Sequence, residues 1–445
     1  MKAESTSLRG RVDWGLIAAV YGLIAIGTVA ILSAASPLPH YAQIIQRHFL
    51  ALGAGTLLFL VALGFNYQVF QDQSKVLYAA ALAVLVAVLV LGHVQRGTKG
   101  WIRLPFFSFQ PAELARILTT LVLAGYLDRR AQRSGTVGFV AGGFALTLPV
   151  LALIMLQPDF SSTLTFFPMI LGMLYCAGAS LAPLGAMALY GAVTLGLPLV
   201  WTMILLHPAW SSASSILGAF LAMREMGGAF VVALLVIFSA AWLAWRLSLQ
   251  LRVSIPPPYF MVGALLLAAG LSSAALVDRQ LKDYQRNRFV AFLLPAADPR
   301  GASYNVAQAQ IAIGSGGLWG KGVFSGTQSK LGFLPERHTD FIYAVIGEEM
   351  GFLGTMAVLG LYMLLLWRIV DTARQARDRY GYLVCCGLGS IFGFSLLVNV
   401  GMCLGFVPVA GIPLPLLSYG GSNLAMGLFS LGIIGNIYAR RYAFY

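Results

Sequence analysis

Long apolar runs alternate with short polar segments along the whole of this chain. A helix needs roughly 20 apolar residues to cross a bilayer, and each run is close to that length. The pattern therefore predicts an all-α polytopic membrane protein with about twelve transmembrane helices, built as a single domain over residues 1–445. The predicted spans are residues 14–34, 48–65, 77–93, 112–127, 136–156, 163–178, 183–206, 227–245, 259–277, 341–367, 381–404 and 416–438.

The composition supports a membrane protein, because 59% of the residues are hydrophobic and only 10% are charged. An ordinary soluble domain has about 25% charged residues. The net charge of +13 comes from short clusters of Lys and Arg between apolar runs, which is how topology signals are distributed. We expect membrane lipids, and no nucleic acid, as partners. The four cysteines lie inside apolar runs without the spacing of a zinc site or a disulfide framework.

Most of the positive clusters fall on one side of the predicted bundle. The positive-inside rule makes that side the cytoplasm and places both termini there. The exception is the segment 278–340, a long loop on the opposite side. Loops of this length cross largely regardless of charge, so we hypothesise that its cations serve an anionic ligand. These cations are Arg279, Lys282, Arg286, Arg288, Arg300, Lys321, Lys330 and Arg337.

The loop ends in Pro335-Glu336-Arg337-His338-Thr339-Asp340, where polar residues stop at the start of an apolar run. Asp340 is therefore expected at the membrane surface, at or near a helix N-terminus. The helix dipole there favours an ionised carboxylate, which suits a proton acceptor or a cation ligand. A simple N-cap is the alternative, and the local sequence alone favours it.

Four ionisable residues are predicted inside the membrane, where charges are costly and usually paired. Glu113 and Arg116 lie three residues apart, on one face of a helix, and either pair with each other or line a cavity. Glu348 and Glu349 lie two turns beyond Asp340. The positions of these two glutamates are equally consistent with a buried structural ion pair and with a role in substrate binding.

Two interrupted segments add polar candidates. Gln157-Pro158-Asp159 separates two apolar runs on the non-cytoplasmic side and carries an exposed acid, as a plain turn would too. The segment from Pro408 to Ser422, which includes Ser418, gives the last span a broken, polar start. Membranes tolerate such backbone only where it is buried in protein or lines a cavity, and transporters share the feature.

Together these motifs resemble the SEDS family (shape, elongation, division and sporulation) of peptidoglycan polymerases, over nearly the whole chain. Segments 326–329 and 335–340 look more like its elongation branch, RodA-like, than its division branch, FtsW-like, while segment 346–349 leans the other way. The matching motifs are Gly97–Trp101, Phe109–Glu113, Gln157–Asp159, Asp283–Arg286, Ile311–Gly322, Leu334–Phe341 and Pro413–Ser422.

The resemblance implies that Asp340 is the catalytic aspartate, which overturns the N-cap preference. It also implies functional roles for Glu113, Arg116 and Asp159, with Arg116 in place of a more usual lysine. Gly100 and Ser161-Ser162 depart from the family pattern. Family members usually have ten spans, so we expect an inserted pair of spans in segment 207–258, for which the sequence offers no function.

The resemblance further implies an inverting transfer of a glycan from undecaprenyl pyrophosphate to lipid II, the lipid-linked disaccharide, outside the bacterial cytoplasmic (inner) membrane. A pyrophosphate leaves already ionised, so one carboxylate base and several cations suffice. Asp340 would be the base. The expected substrate-binding residues are Glu113, Arg116, Asp159, Arg286, Arg288, Lys321, Lys330, Glu336, Arg337, His338 and Ser418.

No ligand cluster in the sequence specifies a metal, although Mg²⁺ or Mn²⁺ near Asp340 or Glu336 would suit a pyrophosphate. The resemblance also implies a partner, a class B penicillin-binding transpeptidase. Two alternatives remain: a flippase for the lipid-linked precursor, and a non-catalytic scaffold of the elongation or division machinery. The long polar loop on one side favours surface chemistry over transport.

Overall fold

The structure is a computed structural model and describes residues 12–442 except 96–97, 104–107, 253–255, 281–282 and 294–301. The chain divides into two compact units, one of residues 1–180 with 305–445 and the other of residues 181–304. The prediction of a single domain stays a prediction. Lys2, Arg9 and Arg11, the positive cluster before the first predicted span, lie outside the described residues, as do Gly97, Lys282 and Arg300.

The first unit begins with seven helices in the described part of residues 12–180. Asp13 caps the first of them by accepting a hydrogen bond from Leu16 N at 2.9 Å. The fifth starts with Pro111, a residue suited to the first helical position, and carries Glu113 in its first turn. The seven helices are α1 (Trp14–Ala35), α2 (Tyr41–Gly64), α3 (Gln68–Asp72), α4 (Ser74–Leu91), α5 (Pro111–Arg129), α6 (Val137–Leu156) and α7 (Phe160–Cys176).

A small antiparallel sheet interrupts these helices between α4 and α5. Its strands are β1 (His93–Gln95), β2 (Thr98–Arg103) and β3 (Ser108–Phe109), in the order β1-β2-β3. Trp101 pairs with His93 on one side of β2, and Ile102 pairs with Phe109 on the other. The sheet therefore leads the chain directly into the start of α5.

The second unit consists mainly of three long helices. Its core contains Trp201, Phe230 and Leu271, and the Trp201 indole N–H donates to Phe220 O at 3.0 Å. A short 3₁₀ turn, Met223–Glu225, precedes the middle long helix. The helices are α8 (Leu181–Leu206), α9 (Pro208–Ala213), α10 (Ser215–Ala222), α11 (Gly228–Gln250), α12 (Pro257–Gln280) and α13 (Asp283–Leu293).

The remaining helices complete the first unit from residue 305 onward. Small residues let them pack closely on the N-terminal helices; a Cβ at Gly432, for example, would lie 2.5 Å from Phe59 O in α2. These helices are α14 (Ala302–Ser315), α15 (Thr327–Lys330), α16 (Ile342–Gln375), α17 (Arg379–Cys403) and α18 (Gly421–Ala439).

Each predicted span coincides with a helix, which confirms the all-α polytopic fold. Within the described residues, ten helices are long and apolar enough to cross a membrane: α1, α2, α4, α6, α8, α11, α12, α16, α17 and α18. The other two predicted spans fall short by these criteria. Helix α7 has 17 residues, and α5 carries charged residues at both ends.

The two long segments differ in their helix content. In its described part, segment 207–258 holds the short helices α9 and α10 and one helix of membrane length, α11, which coincides with the predicted span 227–245. The expectation of an inserted pair of spans stays a prediction. Segment 278–340, predicted as the long extracytoplasmic loop, contains α13, α14 and α15 in its described part.

Candidate functional site

Asp340 lies in a tight turn immediately before the membrane helix α16. The helix begins at Ile342 with Phe341 at the cap position, where no side-chain cap hydrogen bond forms, so the N-cap interpretation of Asp340 is wrong. The Asp340 N–H donates to Glu336 O at 3.1 Å. Glu336 has a positive φ of 51°, which lets the chain reverse before the helix. Asp340 is half-buried there.

The main chain of this turn is held by two other elements. The buried amide of Asn399, in α17, donates from Nδ2 to Asp340 O at 3.0 Å and to Ile412 O at 2.9 Å. Tyr419 N donates to His338 O at 2.9 Å, and the two rings lie 5.5 Å apart. The carboxylate of Asp340 therefore stands on a backbone fixed from α17 and from the segment before α18.

Arg337 lies on the inner side of the same turn. It is buried, and its Nε donates to Ala34 O, at the end of α1, at 2.8 Å. Burial lowers the pKa of Arg337 from its usual value. This contact makes Arg337 an anchor of the turn, whereas Glu336 is exposed and accepts a hydrogen bond from Thr339 Oγ1 at 3.0 Å.

Glu348 binds the loop that precedes the Asp340 turn. Its carboxylate is fully buried and accepts hydrogen bonds from Lys321 Nζ, Thr327 Oγ1 and Gln328 N, each at 2.9 Å. A fourth comes from Ser329 N at 3.2 Å. The structural ion pair expected for this residue is therefore present. Lys321 is a member of that pair, while Lys330 is exposed.

The same loop also docks into an interruption of α16. At Gly351 the backbone leaves the helix, with φ 67° and ψ −162°. The freed carbonyl of Glu348 accepts from Lys321 N at 3.0 Å, and that of Glu349 accepts from Gly322 N at 3.0 Å. Phe352 N donates back to Gly317 O at 2.9 Å. Loop and helix therefore share one backbone hydrogen-bond network.

Glu349 ties this network to α1. The Ser33 hydroxyl donates to Glu349 Oε1 at 2.5 Å, and Phe324 N donates to Oε2 at 3.3 Å. Because Ser33 is next to Ala34, the end of α1 holds both the glutamate after Asp340 and the arginine before it.

Asp159 is not the exposed acid expected from the sequence. It is buried and caps α7, accepting from Ser162 N at 3.0 Å and from Ser162 Oγ at 2.7 Å. Gln110 Nε2 also donates to Asp159 Oδ2, the oxygen that accepts from Ser162 Oγ, at 2.7 Å. A Cβ at Gly100 would lie 4.0 Å from Asp159 Oδ2, so position 100 borders this acid. The exposure of Asp159 was mispredicted because its burial depends on the side-chain amide of Gln110, which follows strand β3 and is distant in sequence.

Glu113 and Arg116 satisfy both interpretations of their spacing. They form an ion pair with each other on α5, and Arg116 Nη1 donates to Thr165 Oγ1 at 3.2 Å. Arg116 also lines a cavity together with Pro415, Asn423 and other residues of α5, α17 and α18. Arg116 Nε and Asn423 Oδ1 are buried without a hydrogen-bond partner among the described residues. Two buried polar atoms without a described partner thus belong to residues that line this cavity.

Ser418 is a structural residue in its present contacts. It is buried, and its hydroxyl accepts from Leu414 N at 2.8 Å within the turn before α18. The neighbouring Ser422 accepts from Gln110 N and donates to Ser108 O, each at 2.9 Å. Ser422 thus joins the start of α18 to the start of α5.

Two of the candidate cations lie in the second unit. Arg286, in α13, contacts Asp278 with Nη2 3.3 Å from Oδ1. Arg288 is half-buried in the same helix. Lys321, Lys330 and Arg337 belong to the first unit with Asp340.

Asn399 and Tyr419, which position the Asp340 turn, were not predicted from the sequence. Asn399 was detectable in principle, since it is a lone amide between Val398 and Val400 in an apolar run, where polar groups usually have a function. Nothing in the local sequence indicates that Tyr419 contacts His338, because that contact depends on how the last span packs.

Fold and site define a polytopic membrane protein that presents a carboxylate where a membrane helix begins. The sequence profile of the FtsW/RodA/SpoVE family, described as cell cycle protein, matches residues 12–212 and 208–443. The chain belongs to this family, and it is a multi-pass membrane protein.

Its relatives include peptidoglycan glycosyltransferase RodA of Treponema pallidum (strain Nichols), 32% identical over 439 residues, which cover 96% of this chain and 98% of that protein. Peptidoglycan glycosyltransferase MrdB of Escherichia coli (strain K12) is 30% identical, covering 89% of this chain and 86% of the relative.

Among solved structures, a chain of a peptidoglycan synthase complex that coordinates polymerization and crosslinking superposes with a TM-score of 0.62 at 28% identity, covering 97% of this chain and 98% of that one. Thermus thermophilus RodA gives a TM-score of 0.57 at 25% identity, covering 97% and 98%.

Proposed function

We propose that this protein is a peptidoglycan glycosyltransferase of the elongation branch, which polymerises lipid II at the outer face of the bacterial cytoplasmic membrane. The observation that carries the proposal is the position of Asp340. It is a half-buried carboxylate, fixed through its backbone, at the start of a membrane helix. Isoprenoid tails can stay in lipid there while their sugars react in water. The names of its relatives support the activity.

In the proposed reaction, Asp340 accepts the proton of the acceptor's sugar hydroxyl as that oxygen attacks the anomeric carbon of the donor. The new C–O bond forms on the face opposite the leaving undecaprenyl pyrophosphate, so the configuration inverts. The pyrophosphate departs as an anion and needs cations. Lys330, which is exposed and belongs to the same unit as Asp340, is the best candidate, because Lys321 is held by Glu348 and Arg337 by Ala34.

A divalent cation, Mg²⁺ or Mn²⁺, fits this proposal as a neutraliser of pyrophosphate charge. Within the described part of the chain, no group of three or more His, Cys, Asp or Glu side chains is arranged to hold one. Glu336 and Asp340, in one turn, would contribute ligands, with the remainder coming from the substrate. Loss of polymerisation in EDTA, reversed by added Mg²⁺ or Mn²⁺, would support this assignment.

The proposal includes an orientation and a partner. Both termini are placed in the cytoplasm, so the Asp340 turn faces outward. A class B penicillin-binding transpeptidase is the proposed partner, supported by the likeness to a chain of a peptidoglycan synthase complex.

Purified protein with lipid II distinguishes the three candidate functions. Glycan chains that form with wild-type protein and disappear with Asp340→Asn identify the enzyme. Translocation of lipid II without polymer would identify a flippase. Support of cell growth by Asp340→Asn with neither activity would identify a scaffold.

A further inference from the structure

An arginine pair in the second unit shares a single buried carboxylate. Asp278, near the end of α12, has a side chain that is 3% exposed. Arg224 Nε lies 3.3 Å from its Oδ2, and Arg286 Nη2 lies 3.3 Å from its Oδ1. Arg286 Nη2 also donates to Asp278 O at 3.1 Å. One carboxylate thus orients two guanidinium groups that come from the turn before α11 and from α13.

This cluster is incomplete in both charge and hydrogen bonding. Two guanidinium groups face one carboxylate, so the three side chains together carry a net positive charge. Arg224 Nη1 and Arg286 Nε are buried, and neither has an acceptor in the part of the chain that the structure describes. Asp278 therefore does not use the full hydrogen-bonding capacity of either guanidinium group.

The cluster is both accessible and fixed in place. The side chains of Arg224 and Arg286 are 27% and 33% exposed, so an external anion can reach them. Arg279 donates from Nη2 to the carbonyl of Glu225, which attaches the turn of Arg224 to the end of α12. Met223 and Met226 pack against the core around Trp201. Arg224 is therefore positioned before any ligand binds, which lowers the entropic cost of binding.

We propose that Arg224 and Arg286, oriented by Asp278, form a clamp for the phosphate or pyrophosphate group of a membrane lipid. Planar guanidinium groups bind phosphate oxygens through paired, charge-assisted hydrogen bonds. Assignment of the ligand to a pyrophosphate carrier rests on the proposed function, and an anionic phospholipid headgroup would supply the same chemistry. The clamp gives segment 207–258 a role, since Arg224 lies within it.

The test uses the full-length protein in phosphatidylcholine nanodiscs, titrated with inorganic pyrophosphate by isothermal calorimetry. Arg224→Gln should weaken binding about tenfold or more, because it removes charge-assisted hydrogen bonds. The pyrophosphate affinity of Arg224→Lys should lie between those of wild type and Arg224→Gln. Arg252→Gln, which changes an exposed arginine of the same unit, should bind like wild type. Thermal melting of each variant checks its fold, and Arg224→Lys replaces Arg224→Gln if the latter does not fold.

Unchanged pyrophosphate affinity in folded Arg224→Gln, or in Arg224→Lys where only that variant folds, would overturn the clamp and leave a purely structural ion cluster. Nanodiscs containing phosphatidylglycerol identify the source of the phosphate. If this lipid displaces pyrophosphate from wild type but not from the Arg224 variant, the clamp takes a phospholipid headgroup. If it does not compete, the clamp selects pyrophosphate.

These outcomes are separate from those of the proposed function. Asp340→Asn should bind pyrophosphate like wild type while forming no glycan. If wild type forms no glycan but still binds pyrophosphate through Arg224, the glycosyltransferase proposal fails and the clamp stands. If Arg224→Gln binds pyrophosphate normally while wild type polymerises lipid II, the clamp proposal fails and the glycosyltransferase proposal stands.

Discussion

Asp340 and Glu348 lie eight positions apart on one segment, yet the protein holds them in opposite ways. Glu348 is fully enclosed, and its carboxylate accepts four hydrogen bonds from the preceding loop. Asp340 is half-buried, and its positioning contacts from Asn399 and Glu336 are made to its backbone. The difference separates two tasks. Glu348 uses its charge to fix the loop, whereas hydrogen bonds to the main chain of Asp340 hold the turn in place.

The largest expected effect comes from Asp340→Asn. The amide cannot accept the acceptor's proton, and loss of a general base costs about 10²–10⁴-fold in rate. The initial rate of glycan formation from lipid II measures the effect. The melting temperature checks that the variant folds, and the hydrogen bonds to the backbone of residue 340 remain available to it. A rate within tenfold of wild type would contradict the catalytic role.

Glu348→Ala should show the opposite profile, with a primary loss of stability. It leaves Lys321 and three further donors without their acceptor. A buried donor left without its acceptor costs about 1–3 kcal/mol, so the two backbone donors and the Thr327 hydroxyl dominate the loss. The free energy of unfolding in denaturant measures this loss. Glu225→Ala, at an exposed glutamate, is the matched control and should change little.

Gly351→Ala should release the loop from the helix interruption. The positive φ of 67° alone costs a residue with a side chain about 1–2 kcal/mol. A Cβ would also lie 2.3 Å from Gly320 N and 2.7 Å from Leu318 O. Limited proteolysis should therefore cut residues 316–330 faster. Gly360→Ala in the same helix, where a Cβ meets nothing within 4 Å, should be cut like wild type.

Lys321→Met should have the smallest effect. Glu348 would keep its hydrogen bonds from Thr327, Gln328 and Ser329, and a partly exposed ion pair contributes about 1 kcal/mol or less. The same denaturant measurement applies, with the exposed Lys330→Met as control for stability. A loss as large as that of Glu348→Ala would show that the lysine, and not the backbone donors, anchors the loop.

The sequence was sufficient for what depends on local pattern. Apolar runs of membrane length located the helices, and the spacing of Glu113 and Arg116 predicted their ion pair. The sequence could not predict contacts between segments that are distant along the chain. The burial of Asp159 depends on Gln110, and the anchoring of Arg337 depends on Ala34, more than three hundred positions away. Arg224 escaped notice because its partner, Asp278, is identified only by the packing of the second unit.

The interruption at Gly351 has a consequence for biogenesis. Peptide groups released from a helix within a bilayer have no water to bond with, so each needs a protein partner. Here Gly317, Lys321 and Gly322 provide that partner from a segment outside the span. The loop that contains these residues must therefore dock before α16 is complete, so that folding of the loop and settling of this helix in lipid are a single event.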